Sequence, residues 1–373
     1  MNDIAVRRSV LADGRELLYF DDPGTALPPE RRIDERHLDP RPPTATMRQD
    51  VLTGEWVSIA TARQNRAFLP PAEADPLAPQ SAANPSEVPA LYDVAVFENR
   101  SPSFGPATGG VPDAPESLDD LRELGLGRTR TSVGRCEVVC FSPETAGSFS
   151  ALAPVRARTV VEAWAHRTRE LSVVPGVQQV FPFENRGEAI GVTLHHPHGQ
   201  IYAYPYVTPR TNRLLDSVDR YPGDLFADLL DFERAGDRVV LAGESFTAFV
   251  PFAARWPVEL HLLPHRHVPD LAALSDDEKD ELAPLYLRLL RAVDALYDTP
   301  TPYISAWHQA PVATHRDRVR LHLEVTSPRR SADKLKYLAG SEAAMGAWIG
   351  DLAPEQTAER LREALARADA GAA

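Results

Sequence analysis

His196, Pro197, His198, Gly199 and Gln200 stand in one unbroken run of the chain. Residues two apart in an extended segment point to the same face. The flanking stretches Ala189–Leu194 and Ile201–Val207 read as strands, so His196, His198 and Gln200 are expected on one side of one strand. Pro197 restricts the backbone between the imidazoles, and Gly199 is expected to let a ligand approach the main chain. A neutral imidazole is a competent nucleophile near pH 7. Attack on the α-phosphorus of a nucleotide would give a nucleotidyl-imidazole and divide one transfer into two in-line steps. The second ring nitrogen must then donate its proton elsewhere, so that the attacking nitrogen keeps its lone pair. The Gln200 amide could donate to a phosphoryl oxygen as charge builds there.

The chain has 373 residues, enough for one large domain or two smaller ones, and its 43% apolar content fits a soluble globular protein. A net charge of -13 argues against nonspecific nucleic-acid binding. The only lysines are Lys279, Lys334 and Lys336. No stretch approaches the roughly 20 apolar residues of a membrane span, and residues 1–16 lack the apolar centre of a secretory signal. A cytoplasmic protein with no membrane partner is expected. Cys136 and Cys140 lie on one strand-like run, too far apart to bond, and read as buried thiols.

The elements that must carry the motif follow from periodicity. A hairpin is expected around Asp13-Gly14, with residues 1–45 forming an N-terminal arm. Strands are expected at Glu55–Ala60, Asp93–Glu98, Cys136–Ser142 and Val177–Phe183, with a helix over Thr159–Val173. A second series follows, with a helix at Asp224–Arg234 and strands at Arg238–Leu241, Phe246–Val250 and Val258–Leu263. A long helix starts from the capping box Ser275/Glu278, with Pro284 inside it. Strands at Tyr303–Trp307 and Arg318–Thr326 and a helix from Pro354 to about Ala368 close the chain. This pattern predicts an α+β fold, with halves 46–210 and 211–373 sharing a mostly antiparallel sheet flanked by helices.

The motif, in the context Val180-Phe181-Pro182-Phe183-Glu184-Asn185-Arg186-Gly187, resembles the galactose-1-phosphate uridylyltransferase family of the histidine-triad superfamily. The similarity runs from Asp50-Val51-Leu52-Thr53-Gly54-Glu55-Trp56 to Pro354-Glu355-Gln356. It implies two histidine-triad-like halves and a ping-pong transfer from UDP-glucose to galactose 1-phosphate through a uridylyl-histidine. In that reading His198 is the nucleophile, Gln200 the phosphoryl-oxygen donor and His196 its catalytic neighbour. Arg63 and Arg66 fall on a basic pair near the phosphates, Asn99 on a uridine contact, and Asn185 and Thr193 on positions beside the phosphates or the nucleophile. Lys336 and Glu342 fall on a hexose-holding segment that reaches into the partner's site, which implies a homodimer. A carboxylate at Glu342 could accept two sugar hydroxyls.

The chain departs from the family where metals are concerned. A family zinc site would need cysteines where Asp75 and Ala78 stand and a histidine where Thr145 stands, leaving His196 alone. A structural zinc needs about four ligands, so no metal and no required cofactor is expected here. At a second family metal site, His308 and His322 match, but Glu324 replaces a histidine and Leu214–Leu215 fill the glutamate position. A hydrogen-bonded His308/His322/Glu324 cluster is expected instead. Ser341 and Trp348 replace a common tyrosine and glutamine in the sugar-facing segment, which bears on which sugar phosphate is used. Two alternatives stand beside the transferase. One is a phosphorylase or hydrolase of the same superfamily, although the hydrolases carry a third histidine where Gln200 stands. The other is a catalytically inactive nucleotide-binding protein.

Overall fold

The computed structural model describes residues 4–65, 69–106 and 126–372. One eleven-stranded sheet organises them. Its strands are β1 (Ala5–Val10), β2 (Glu16–Asp21), β5 (Val94–Glu98), β7 (Arg135–Cys140), β8 (Gln179–Arg186), β9 (His198–Tyr204), β10 (Val239–Ala242), β11 (Phe246–Phe249), β12 (Val258–Pro264), β13 (Tyr303–His308) and β14 (His322–Ser327). The spatial order is β1-β2-β5-β7-β9-β8-β13-β14-β12-β11-β10, and every pairing in it is antiparallel. A three-stranded sheet joins β3 (Thr46–Gln49), β4 (Trp56–Ile59) and β6 (Thr129–Thr131), and β15 (Arg329–Ser331) pairs with β16 (Lys334–Leu335). Residues 5–21 of the N-terminal arm are thus the edge of the main sheet, and the expected hairpin at Asp13-Gly14 is present.

The strand order is written twice. β2-β5-β7-β9-β8 in the first half has the same succession as β10-β11-β12-β14-β13 in the second. Helix α1 (Pro154–Ser172) connects β7 to β8, and helix α4 (Asp276–Asp294) connects β12 to β13. The halves join where β8 pairs with β13, with Asn185 opposite Ile304 and Phe183 opposite Ala306. His198 opens β9 and His322 opens β14, so Gln200 and Glu324 occupy matching third positions.

Alternation divides the sheet into two faces. Leu18, Val96, Val139, Ile201, Val180, Leu323 and Leu260 point to one face and join the core under α1, α4 and α5 (Pro354–Ala372). Trp164 and Trp307 are its largest aromatic residues, and both touch each other and Tyr286. The capping box is formed as expected: Ser275 accepts from Glu278 N–H, and the Glu278 carboxylate accepts from Ser275 N–H. Glu184 also faces the helices; burial pushes its carboxyl up to about 8, while Tyr303 donates to it at 3.1 Å.

The opposite face carries His198, Gln200, Asn185, His308, His322 and Glu324, as their register shows. The loop between β4 and β5 covers it near β7, and helices α2 (Pro209–Arg220) and α3 (Leu225–Arg234) cover it near β11 and β12. The boundary expected at residue 210 falls at the start of α2. No helix among the described residues is long and apolar enough to cross a membrane.

Candidate active site

The predicted strand Ala189–Leu194 does not form. The chain leaves β8 through Gly187 at φ 97, makes a short turn over Glu188–Ile190 and continues through Gly191 at φ 83. Both glycines hold a backbone that L side chains resist, and at Gly187 a Cβ would meet Pro302 at 2.9 Å. His196 therefore lies in the loop before β9 rather than in its alternation, and its side chain is fully buried. His198 begins the strand and is half-buried.

His198 Nδ1 donates to the main-chain carbonyl of His196 at 2.7 Å. That bond fixes the tautomer, so the Nε2 lone pair is the one offered for attack. His198 and Gln200 line a cavity of about 250 Å³ together with Asn99, Thr193, Arg15 and Arg100. A patch of Leu77, Phe97, Val138 and Leu194 forms its apolar wall. Four residues expected in the site are thus brought together: His198, Gln200, Asn99 and Thr193.

The others stand elsewhere. Gly199 faces the helix side, where a Cβ would meet Phe141 Cζ at 2.8 Å and the Phe183 carbonyl at 3.0 Å. Its glycine answers to packing beneath the strand, which corrects the expected role in ligand approach. Arg63 does not line the cavity; its Nη1 is buried with no hydrogen bond among the described residues. Arg66 lies outside the described residues. Asn185 shares the face of Gln200 but sits one strand away on β8. Lys336 donates to the carbonyls of Arg255 and Ile349 and lies 3.4 Å from Glu342, away from the His198 cavity of its own chain.

Arg15 and Arg100 did not stand out in the sequence. Arg15 is buried and held by Asp13 at 2.8 Å, Glu87 at 2.5 Å and the Glu98 carbonyl at 2.8 Å, a fixed cation at the cavity. Arg100 donates to the Asp39 carbonyl at 2.9 Å. The available signal for Arg100 was its place directly after Asn99; Arg15 sits in a hairpin more than eighty residues from the motifs it serves.

The second half presents a related hollow of about 520 Å³, lined by His261, His308, His322, Glu324, Arg210 and Arg213 among others. His308 Nε2 and His322 Nε2 lie 3.5 and 3.8 Å from Glu324 oxygens, too far for good hydrogen bonds. The hydrogen bonds to Glu324 come from Arg210 Nη2, at 2.6 and 2.5 Å, which corrects the expected hydrogen-bonded trio. Burial holds His308 down to about 3 and His322 down to about 4, so both rings are neutral at pH 7. Burial opposes the Glu324 charge, but His308, His261 and Arg210 hold its carboxyl well below the usual range.

Two adjoining family profiles match the chain. Residues 41–208 match "Galactose-1-phosphate uridyl transferase, N-terminal domain", and residues 218–370 match "Galactose-1-phosphate uridyl transferase, C-terminal domain". The chain belongs to the galactose-1-phosphate uridylyltransferase family. A galactose-1-phosphate uridylyltransferase of Streptomyces lividans is 42% identical over 95% of this chain and 96% of its own. That of Thermotoga maritima is 34% identical over 85% of this chain and 98% of its own. A solved structure described as "Structure of uridylyltransferase" superposes with a TM-score of 0.76 at 30% identity, covering 86% of this chain and 99% of that one. An ADP-glucose phosphorylase from Arabidopsis thaliana, at 21% identity and a TM-score of 0.61, shares the fold. The family expected from the histidine motif is therefore the one found, and its members are nucleotidyltransferases.

Proposed function

We propose that this family member moves a uridylyl group from UDP-glucose to galactose 1-phosphate, with His198 Nε2 as the covalent carrier. The observation that carries the reading is the 2.7 Å bond from His198 Nδ1 to the His196 carbonyl, at the rim of a cavity that Gln200 also lines. In the first step the Nε2–P bond forms, the bond from the α-phosphorus to the bridging oxygen breaks, and glucose 1-phosphate leaves with that electron pair. In the second step a phosphate oxygen of galactose 1-phosphate attacks the same phosphorus and the Nε2–P bond breaks. The Gln200 amide donates to the oxygens on which charge grows, while Arg15, paired with Asp13 and Glu87, holds the cavity wall in place. Gln200 favours transfer over hydrolysis, because an amide cannot shuttle a proton to water as imidazole can. Protein incubated with uracil-labelled UDP-glucose should take up one label per site and release an equal amount of glucose 1-phosphate. Galactose 1-phosphate should then discharge it. No label on wild-type protein that still binds the nucleotide would favour an inactive nucleotide-binding module; discharge by another sugar phosphate alone would change the acceptor.

A homodimer is the assembly we favour. Lys336 and Glu342 are absent from their own chain's cavity, and the same segment exposes Tyr337 (75%), Met345 (81%) and Ile349 (56%). Such an apolar stretch beside a paired lysine and carboxylate suits a second copy, whose cavity the pair would complete. Sedimentation equilibrium should give twice the chain mass of 41.0 kDa, and a purely monomeric but active enzyme would remove this reading. A cytoplasmic location accords with the two buried thiols, Cys136 and Cys140.

The ligand atoms of His308, His322 and Glu324 lie within 4.8 Å of one another and could hold an ion, though Arg210 already takes the carboxylate. At His196 the residues do not fit a zinc ion: Ala78 and Thr145 stand where ligands are needed, and both ring nitrogens of His196 face oxygen partners.

A further inference from the structure

The His196 ring is held from several directions. Its Nδ1 donates to Asp75 Oδ2 at 2.6 Å. Its Nε2 stands 2.8 Å from the Ser142 carbonyl and 3.0 Å from the Tyr92 hydroxyl. Tyr92 in turn donates to the Leu77 carbonyl at 2.8 Å. Asp75 is 5% exposed, and its own place is fixed: Oδ1 accepts from Leu77 N–H at 2.9 Å, and its carbonyl accepts from the Asn84 amide at 2.8 Å. The polar groups of this cluster come from chain segments as far as 121 residues from His196.

The same residue serves the nucleophile through its other end, since the His196 carbonyl accepts the His198 Nδ1 proton. A carbonyl that shifts by a few tenths of an ångström weakens that bond. The other tautomer then gains population, with Nε2 protonated and unable to attack. A charge-assisted bond is roughly twice as strong as one between neutral groups, so a carboxylate on the ring is an effective anchor. Asp75 also orients Leu77 and Pro76, which line the cavity.

We infer that Asp75 is a positioning residue for the transfer. Through the His196 ring it fixes the carbonyl that sets the His198 tautomer, and it does so where the family resemblance leads one to look for zinc. Asp75 does not touch substrate in this role. The inference rests on His198 being the nucleophile.

Asp75→Ala and the isosteric Asp75→Asn test it. The readouts are labels per chain, the single-turnover rate of uridylylation, KM for UDP-glucose and the ¹⁵N shifts of the His198 ring. For Asp75→Ala, label per folded chain should stay near the wild-type value while the single-turnover rate falls about 10- to 100-fold, the usual loss for a partner one shell removed. KM should change by less than about threefold, and Nε2-protonated His198 should appear in the spectrum. Asp75→Asn should lose less, about tenfold. Tyr92→Phe, which keeps the packing under the loop, should lose least and serves if Asp75→Ala fails to fold. An unchanged rate per labelled site would overturn the inference, leaving Asp75 a mere loop tether. So would stoichiometric zinc on wild-type His196. Failure of the wild type itself to label would instead remove the reading of His198, a distinguishable result.

Discussion

Replacing His198 by alanine should abolish uridylyl labelling and lower steady-state turnover by at least about 10⁴-fold, or roughly 5.5 kcal/mol of barrier. The substitution removes the atom that bonds phosphorus, so no other group in the cavity can substitute. Asn99, Thr193 and Gln200 remain in place, and strand β9 still pairs with β7 and β8 on both sides. Binding of UDP-glucose should therefore change little. Isothermal titration with UDP-glucose and rapid-quench labelling separate the two effects. Retention of substantial turnover would mean that the acceptor attacks the nucleotide sugar directly, and the two-step mechanism would fall.

Replacing Arg167 by methionine should cost stability rather than chemistry. Arg167 rises from α1 to meet Glu137 on β7, donating from Nε at 2.9 Å and from Nη2 at 2.7 Å. The two side chains are 3% and 1% exposed. Burial opposes the Glu137 charge, but Arg167 and Arg135 hold its carboxyl below the usual range. Without Arg167 a buried carboxylate keeps only the Arg135 contact at 3.1 Å, with Glu98 and Glu16 close by in the same network. Removing one partner of such a pair costs about 3 kcal/mol, roughly a 4 °C fall in melting temperature for a chain of this size. Adding Glu137→Leu should restore most of it. Turnover per folded molecule should be unchanged, since the pair lies on the helix face of the sheet. A melting temperature equal to wild type would show the pair to be dispensable.

The sequence disclosed local features well and distant ones poorly. Ser275 and Glu278 are three residues apart, and their capping box could be read directly. The alternation of His198 with Gln200 has period two and placed both on the cavity face. Helix α2 carries Thr211, Leu215 and Val218 at helical spacing, but its remaining residues are mostly charged or polar, so the segment reads as a linker between the halves. The apolar residues at 189–194 suggest a strand that would carry His196, but Gly187 and Gly191 turn the chain there. In the sequence Asp75 stands only as a departure from a family cysteine. Its partnership with His196 spans 121 residues, and no spacing rule reaches that far. The polar contacts around the His196 ring are invisible until the fold brings them together.

Two crevices arise from the repeated strand order, one headed by His198 and Gln200 and the other by His322 and Glu324. A ping-pong enzyme admits donor and acceptor to the same seat in turn, so it has work for one nucleophile only. The doubled architecture thus leaves a spare berth, which this chain lines with Arg210 against Glu324 beside two neutral imidazoles. Changes in that berth are free to alter rigidity without touching the bond-making atom.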